Sequence, residues 1–264
     1  MNTGTSRRAV IGRIAYLNTD PFFEGLELPD ADTMSVPPRE LARLCREGAV
    51  DAGAIPVAEL FRMEADFEPL GGMGIACRGA VNSVLCFARR PLEELDGGRV
   101  ALTSQSATSV RLLRLLLERH LGVKPASYAR GWVEGADAFL VIGDDALRRG
   151  YHGVRGFPHV LDLSQAWSAW QGLPFVFARW AVRRSLPAAE KRGLAAALSR
   201  GLDAGLERAG DIAARRSADI GVPAPELEIY LRRFTYRFGD AEAEGEARFR
   251  RLLEEHQLAD FDPR

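Results

Sequence analysis

Short apolar runs alternate with amphipathic segments through the first two thirds of the chain. The apolar runs predict strands at residues 9–16, 51–55, 81–88, 100–103, 139–142, 160–163 and 175–182. Between them, residues 39–47, 57–62 and 107–121 place apolar side chains at helical spacing. This alternation predicts an α/β protein with mostly parallel sheet.

The last third of the chain is helical by the same criterion. Leucines recur every four residues within a helix predicted at 187–209, and further helices are predicted at 225–233 and 240–256. The last of these has acidic residues early and arginines late, which the helix dipole favours. A helical tail therefore follows the alternating strands and helices.

Composition and charge narrow the class of protein. The 264 residues fit one large domain or two small ones, and 47% hydrophobic with 27% charged residues excludes disorder, collagen and coiled coil. A net charge of −1 without a basic stripe argues against nucleic-acid and membrane partners. No apolar run is long enough for a membrane span or secretion signal, and the three cysteines form no C-x-x-C pair. We expect reduced thiols and a cytoplasmic location.

The usual cofactor and catalytic motifs are absent from the sequence. It contains no G-x-G-x-x-G, Walker A, H-E-x-x-H, EF-hand or G-x-S-x-G pattern, and its four histidines are scattered. Only two lysines are present, which makes Schiff-base chemistry a poor candidate. We therefore expect neither a metal nor a cofactor.

Asn18 is the first candidate for contact with a ligand. It follows the first predicted strand, and α/β sheets bind ligands at the carboxyl ends of their strands. An Asx-turn, in which the side chain serves only the local backbone, is the simpler explanation when this segment is taken alone. The residue alone leaves both interpretations open.

The start of the helix at 107–121 is the second candidate. Ser106 can cap this helix, and the backbone N–H groups of Ala107, Thr108 and Ser109 then form an anion site. One hydroxyl is enough for a cap, so the surplus of hydroxyls in this turn favours a ligand.

A third segment, Gly143-Asp144-Asp145, follows another predicted strand. Glycine allows a ligand to approach the backbone closely. Adjacent aspartates on a helix diverge by about 100°, so they cannot form an acid/base dyad, and helix capping accounts for most of the motif.

Taken together, these segments resemble the chorismate dehydratase family of the futalosine route to menaquinone. The resemblance rests on Tyr-Leu-Asn at 16–18, Ser-Val-Leu at 83–85, Ser-Ala-Thr-Ser-Val at 106–110, Ile-Gly-Asp-Asp-Ala-Leu at 142–147, Gly-Leu-Pro-Phe-Val-Phe-Ala at 172–178, Tyr-Leu-Arg at 230–232, and the tail at 234–249. This ordered set covers nearly the whole chain.

The resemblance implies a fold similar to type II periplasmic binding proteins. In such a fold, two α/β lobes are joined by two crossing strands, and the ligand lies in the cleft. Here residues 81–89 and 175–183 would be the crossings. Residues 1–89 and 179–264 would form lobe I with the helical tail, and residues 90–178 would form the inserted lobe II.

The resemblance also implies a reaction, the removal of water from chorismate to give 3-[(1-carboxyvinyl)oxy]benzoate. Because aromatisation drives it, the protein needs mainly binding, orientation and charge placement. We expect Ser106, Ala107 and Thr108 to hold one carboxylate and Ser83 the other carboxylate or the ether oxygen. Asn18 would be catalytic, bonded to the departing hydroxyl or fixing the enolpyruvyl arm.

The remaining predicted substrate-binding residues are Tyr16, Pro56, Gly143 and Asp144. The substrate's own carboxylate would remove the proton, with Asp144 as the fallback base. Pro56 departs from the family, which usually has a serine there. Since proline has no hydrogen to donate, one ligand contact would be lost or moved.

Two other functions remain open from the sequence. A binding protein for an anionic metabolite would share the fold, although transport receptors usually carry a signal peptide or lipoprotein cysteine. The sister naphthoate synthase of the same route would be expected to have a histidine where this chain has Gly143. The oligomeric state cannot be inferred.

Overall fold

The structure, a computed structural model, describes residues 7–28 and 31–261. Its strands, in chain order, are β1 (Ala9–Ile14), β2 (Ala31–Val36), β3 (Ala52–Pro56), β4 (Phe67–Cys77), β5 (Val84–Ala88), β6 (Arg99–Leu102), β7 (Ser127–Arg130), β8 (Ala138–Ile142), β9 (His159–Asp162), β10 (Phe175–Arg183) and β11 (Phe234–Arg237). They form one sheet in the order β11-β4-β10-β3-β1-β2 and a second in the order β7-β6-β8-β5-β9.

The helices cover the faces of both sheets. They are α1 (Pro38–Arg46), α2 (Val57–Leu60), α3 (Thr108–Leu115), α4 (Gly143–His152), α5 (Leu163–Gln171), α6 (Ala188–Glu207), α7 (Ala209–Ile220), α8 (Ala224–Arg232) and α9 (Asp240–Glu255). A 3-10 turn at Leu17–Phe23 follows β1, a second lies at Leu92–Glu94, and a π turn at Leu116–His120 continues α3. Of the helices that the structure describes, none has both the length and the apolar character that a bilayer crossing requires.

The prediction of mostly parallel sheet is wrong, because both sheets are mixed. Strand β1 is parallel to β2 and β3, and β6 is parallel to β7 and β8. Strand β10 runs antiparallel to β3 and β4, and β5 runs antiparallel to β8 and β9. Strands β5 and β10 are the first strands after the two passages between the sheets, and each enters its sheet antiparallel to its neighbours. Strand β11 is also antiparallel to β4.

The chain passes between the sheets twice, first between β4 and β5 and again between β9 and β10. Lobe bounds of 1–89 with 179–264 and of 90–178 stay a prediction. Strand pairing favours a small shift, since β5 already belongs to the second sheet and β10 belongs wholly to the first. The cleft therefore lies where these two passages meet.

The core is dense in aromatic side chains and contains all three cysteines. Trp167 and Trp180 are fully buried, and Trp167 donates a hydrogen bond to the carbonyl of Pro174. Cys45, Cys77 and Cys86 are free and buried, as predicted. Burial raises the pKa of Cys45 and Cys86 to about 12 and that of Cys77 to about 11, so the thiols are inert packing groups.

Candidate active site

A cavity of about 70 Å³ lies between the two sheets, at the carboxyl ends of β1, β3 and β8. Most of the predicted site residues line it, namely Tyr16, Asn18, Pro56, Ser83, Ser106, Thr108 and Gly143. Ala107 and Asp144 are not among its lining residues. Among the described residues that line it, none is an aspartate, glutamate, histidine, lysine or arginine. The walls are therefore neutral, with hydroxyl and amide groups set among apolar side chains.

Asn18 projects from the 3-10 turn that follows β1. Its side-chain oxygen Oδ1 is buried and accepts no hydrogen bond from any described residue. The turn is closed instead by Thr19, whose backbone N–H and hydroxyl both bond to the carbonyl of Tyr16. The Asx-turn interpretation of Asn18 is therefore wrong. A buried carbonyl oxygen without a donor costs about 1–3 kcal/mol, so this atom is available for a donor on a ligand.

Close packing of α6 holds this turn in place. A Cβ atom at Gly201 would lie 2.4 Å from the carbonyl oxygen of Phe22, and one at Gly205 would lie 2.2 Å from that of Pro21. Any larger residue at these two positions would push the turn away from the helix. The glycines thus let α6 fix the backbone that carries Asn18.

The start of α3 supplies hydroxyls and backbone N–H groups to the cavity. Ser106 Oγ accepts the backbone N–H of Ser109 at 2.9 Å, which confirms the predicted cap. That bond also uses the Ser109 N–H, so the predicted anion site is reduced to the N–H groups of Ala107 and Thr108. Thr108 Oγ1 accepts the N–H of Ala58 in α2 at 3.2 Å, which leaves its own hydrogen free to donate.

Ala107 lies on the wall of a neighbouring cavity of about 250 Å³ on the other side of the α3 start. Its lining includes the arginines Arg43, Arg46, Arg62, Arg111 and Arg130. Ala107 thus borders this second cavity and does not line the first, so its predicted contact with the substrate stays a prediction. Ser106 lines both cavities and separates the neutral one from the arginine-rich one.

Gly143 begins α4 with a φ of +66°, a conformation that favours glycine. Its N–H donates to the carbonyl of Ser83 at 2.8 Å, and a Cβ atom there would lie 2.6 Å from Cε1 of Tyr16. The ring of Tyr16 thus occupies the space that a side chain at 143 would need. Burial, followed by the charges of Asp144 and Asp145, raises the pKa of Tyr16 to about 12, so its phenol is a donor rather than a base.

Asp144 belongs to an ion-pair network behind the cavity. Its Oδ1 accepts the backbone N–H of Leu17 at 3.1 Å, and its Oδ2 accepts Nη2 of Arg216 at 2.6 Å. Arg216 also pairs with Asp20, which accepts Nη2 of Arg13 at 2.8 Å. Burial raises the pKa of the Asp144 carboxyl. Substrate binding or base catalysis by Asp144 stays a prediction that this geometry disfavours, because both oxygens are engaged away from the cavity.

Ser83 and Pro56 complete the set on the cavity wall. Ser83 is buried just before β5, and Tyr230 Oη in α8 donates to its Oγ at 3.0 Å. Pro56 ends β3, where it pairs with Ala178 of β10 and precedes α2. It offers the cavity only apolar ring atoms, as expected from the substitution.

Several residues that line the cavity were not among the predicted site residues. Thr19, Phe177, Ala178 and Phe234 contribute mainly apolar surface. The last three belong to segments that carry the family resemblance, so their place in those motifs is the one clue that was available. In the part of the chain that the structure describes, no group of three or more His, Cys, Asp or Glu residues could hold a metal ion.

Comparison with known proteins relates this chain to one protein family. A family model described as menaquinone biosynthesis matches residues 9–255. A chorismate dehydratase from Thermus thermophilus is 35% identical over 199 residues, which are 69% of this chain and 72% of that protein.

Solved structures with lower identity share the fold. An X-ray crystal structure of an Archaeoglobus fulgidus protein is similar with a TM-score of 0.76 at 16% identity, covering 94% of this chain and 97% of that one. The periplasmic aliphatic sulphonate binding protein of Escherichia coli has a TM-score of 0.64 at 18% identity, covering 98% and 90%. The predicted two-lobed α/β fold is confirmed, and the chain belongs to the menaquinone biosynthesis family.

Proposed function

We propose that this protein is a chorismate dehydratase, a carbon–oxygen lyase that converts chorismate into 3-[(1-carboxyvinyl)oxy]benzoate and water. The observation that carries the proposal is the buried Asn18 Oδ1, which faces the cavity without a donor from any described residue. The substrate's ring hydroxyl is a donor of the kind that this oxygen lacks. The relative from Thermus thermophilus, 35% identical, is a chorismate dehydratase.

The elimination needs few reactive groups from the protein. A proton leaves the ring carbon that bears the ether oxygen, and hydroxide leaves the neighbouring carbon. The electron pair of the broken C–H bond completes the aromatic ring, and the proton and hydroxide together account for the water released. Because the ring becomes aromatic, the enzyme's task is to bind and orient the substrate and to stabilise charge.

The cavity offers matching donors for the substrate's two carboxylates. The backbone N–H of Thr108 and its free hydroxyl hydrogen lie at the positive end of α3, where one carboxylate is stabilised. The Ser83 hydroxyl lies on the wall formed by the second sheet and meets the other carboxylate or the ether oxygen. From the first sheet, Asn18 Oδ1 accepts the hydrogen of the ring hydroxyl and so orients the C–O bond that breaks, while the amide N–H of the same side chain is the donor that would stabilise the oxygen as it departs.

The composition of the cavity wall supports proton removal by the substrate's own side-chain carboxylate. The described lining residues include no carboxylate, imidazole or amine, and Tyr16 is a neutral phenol with a pKa of about 12. Asp144, in the Gly143-Asp144-Asp145 segment, accepts hydrogen bonds from the N–H of Leu17 and from Arg216. An enolpyruvyl carboxylate held beside the ring carbon would supply the missing base intramolecularly.

Mixing the purified protein with chorismate tests the proposal. We expect ultraviolet loss of the diene, with a product that is lighter by one water. Binding of chorismate without its consumption would instead favour a binding protein of the same fold. If the protein leaves chorismate unchanged but acts on cyclic dehypoxanthine futalosine, the sister naphthoate synthase would be the correct assignment. The absence of a histidine at Gly143, where the Tyr16 ring fills the space, argues against that last outcome.

A further inference from the structure

A buried tyrosine from the C-terminal helices reaches the cavity wall through Ser83. Tyr230 lies in α8, which belongs to neither sheet, and only 2% of its surface is exposed. Its Oη is 3.0 Å from Ser83 Oγ, and Ser83 is also 2% exposed. The two residues are 147 positions apart, so only the folded chain brings them together.

The direction of this hydrogen bond follows from the chemistry of the two hydroxyls. A phenol is a stronger acid than an aliphatic alcohol and is therefore the better donor. Burial raises the pKa of the Tyr230 phenol well above its ordinary value, so the donor keeps its hydrogen throughout the neutral range. With Tyr230 donating, Ser83 Oγ accepts, and the hydrogen of Ser83 must point elsewhere.

The Ser83 hydrogen has one open direction, the cavity. Within the described residues, Ser83 Oγ has no hydrogen-bond partner other than Tyr230. The Ser83 carbonyl accepts the N–H of Gly143 at 2.8 Å, which holds the backbone of Ser83 in place. A serine held in this way presents its O–H to a ligand as a donor, which suits a carboxylate or ether oxygen.

Packing keeps Tyr230 itself from turning away. Its ring meets that of Phe234 edge-on, with centroids 5.0 Å apart and planes at 90°, and Phe234 also lines the cavity. The hydroxyl of Tyr230 therefore has a fixed position relative to the cleft.

We propose that Tyr230 is a positioning residue that turns the Ser83 hydroxyl toward an anionic or ether oxygen of the substrate. The inference rests on the proposed dehydratase function, because it assigns Ser83 to substrate binding. It predicts that Tyr230 contributes to substrate affinity only by orienting Ser83. Losing one neutral hydrogen bond that orients a donor is expected to raise KM about 3- to 10-fold.

The test is a double-mutant cycle of Tyr230→Phe and Ser83→Ala, assayed with chorismate. Phenylalanine keeps the ring and its packing. We expect Tyr230→Phe to raise KM about 3- to 10-fold with kcat within about twofold of wild type. In the Ser83→Ala background the same substitution should change nothing further. Calorimetry with the product 3-[(1-carboxyvinyl)oxy]benzoate should show the same pattern in affinity.

Tyr236→Phe is the matched control. Tyr236 is also buried and packs against Phe234, but its hydroxyl has no partner among the described residues. This variant should keep wild-type KM, and melting curves would show that every variant is folded. The inference alone would be overturned if Tyr230→Phe raised KM equally in the wild-type and Ser83→Ala backgrounds. The same KM for the Tyr230 and Tyr236 variants would also overturn it. No turnover by the wild-type protein would overturn the dehydratase function, and this inference with it.

Discussion

Two helix starts of the second lobe lie beside the cavity, and their contacts with the first lobe differ there. At the start of α3, Thr108 accepts a neutral hydrogen bond from the N–H of Ala58 in α2, and one turn further on Arg111 pairs with Glu59 of α2. The start of α4 meets the first lobe through the Asp144 carboxylate, which bonds to Leu17 and to Arg216. The Asp144 carboxylate is thus engaged between the two lobes, whereas Thr108 keeps a hydroxyl hydrogen that it can donate.

This difference explains how similar motifs acquire different roles. Both helices follow a strand of the second sheet, and both begin with small polar residues that sequence analysis placed at the ligand. Of the two residues that make these bonds, Thr108 lines the neutral cavity and keeps a hydroxyl hydrogen to donate, whereas Asp144 does not line it. In the proposed function, Asp144 at the α4 start joins the two lobes, whereas Thr108 at the α3 start binds the substrate together with Asn18 and Ser83.

The largest effect on kcat is expected at Asn18, which lines the neutral cavity. Asn18→Ala should lower kcat about ten- to a thousandfold, the loss typical of one positioned polar group in a transition state. Its melting temperature should stay the same or rise, because the side-chain oxygen has no donor among the described residues. Steady-state kinetics and thermal melting check this together. Near-normal kcat with a lower melting temperature would assign Asn18 to the fold.

The next effect is expected at the start of α3. Thr108→Val should raise KM roughly tenfold, because it removes a hydroxyl expected to donate to a carboxylate. It should also cost about 1 kcal/mol of stability by leaving the Ala58 N–H unpaired. Thr108→Ser keeps the hydroxyl and is the control. A valine variant with wild-type KM and reduced stability alone would show that the α3 flank is as structural as the α4 flank.

On the charged side, Asp144→Asn should leave kcat within about fivefold of wild type. An asparagine keeps an oxygen for the Leu17 N–H, and Arg216 keeps its pairing with Asp20. A base required for proton removal would lose about a hundredfold or more on the same change. A loss of that size would move Asp144 from the structural network to the reaction.

The pH dependence of stability tests the buried environment of Asp144. Burial raises the pKa of Asp144 in the folded protein, so the folded state binds this proton at a higher pH than the unfolded chain does. Wild type should therefore gain stability relative to Asp144→Asn as the pH falls through the raised pKa, and lose it as the pH rises. Melting curves of both proteins across mildly acid pH measure the difference. A difference that does not change with pH would contradict the buried, proton-binding environment.

The smallest effect is expected at Pro56. If the site compensates for the missing serine, Pro56→Ser should change turnover by less than about fivefold. It should also lower stability by about 0.4–1 kcal/mol, since proline restricts the unfolded chain just before α2. Kinetics and melting should be measured on one sample. A large gain in chorismate turnover would indicate that the natural substrate lacks a polar group at this point.

Strands that have a clear local pattern of apolar residues could be predicted from the sequence, and strands without one were missed. Strands β1, β3, β5, β6, β8, β9 and β10 were found as apolar runs. Strand β2 was missed because most of its side chains are exposed, and β4 because Pro69, Gly71 and Gly72 interrupt its apolar pattern. Asn18 could be found because strand ends converge in an α/β sheet.

The pairings that decide the roles of the site residues are not local. Asp144 meets Arg216 across 72 positions, and Ser83 meets Tyr230 across 147. No periodicity or spacing encodes such contacts, because they depend on how the tail helices pack on the two sheets. The sequence could therefore collect the residues of the site but could not separate those that hold the sheets from those left to bind.

The pH dependence of kcat for chorismate tests most directly whether the substrate's own carboxylate removes the proton, without a side-chain base from the protein. Tyr16, with a pKa of about 12, does not titrate in the neutral range, and a substrate carboxylate is ionised above about pH 5. If the substrate's carboxylate is the base, we expect kcat to stay within about twofold from about pH 5 to 9 while the protein remains folded. A tenfold change per pH unit centred near about pH 6 to 7 would reveal a protein base and contradict it.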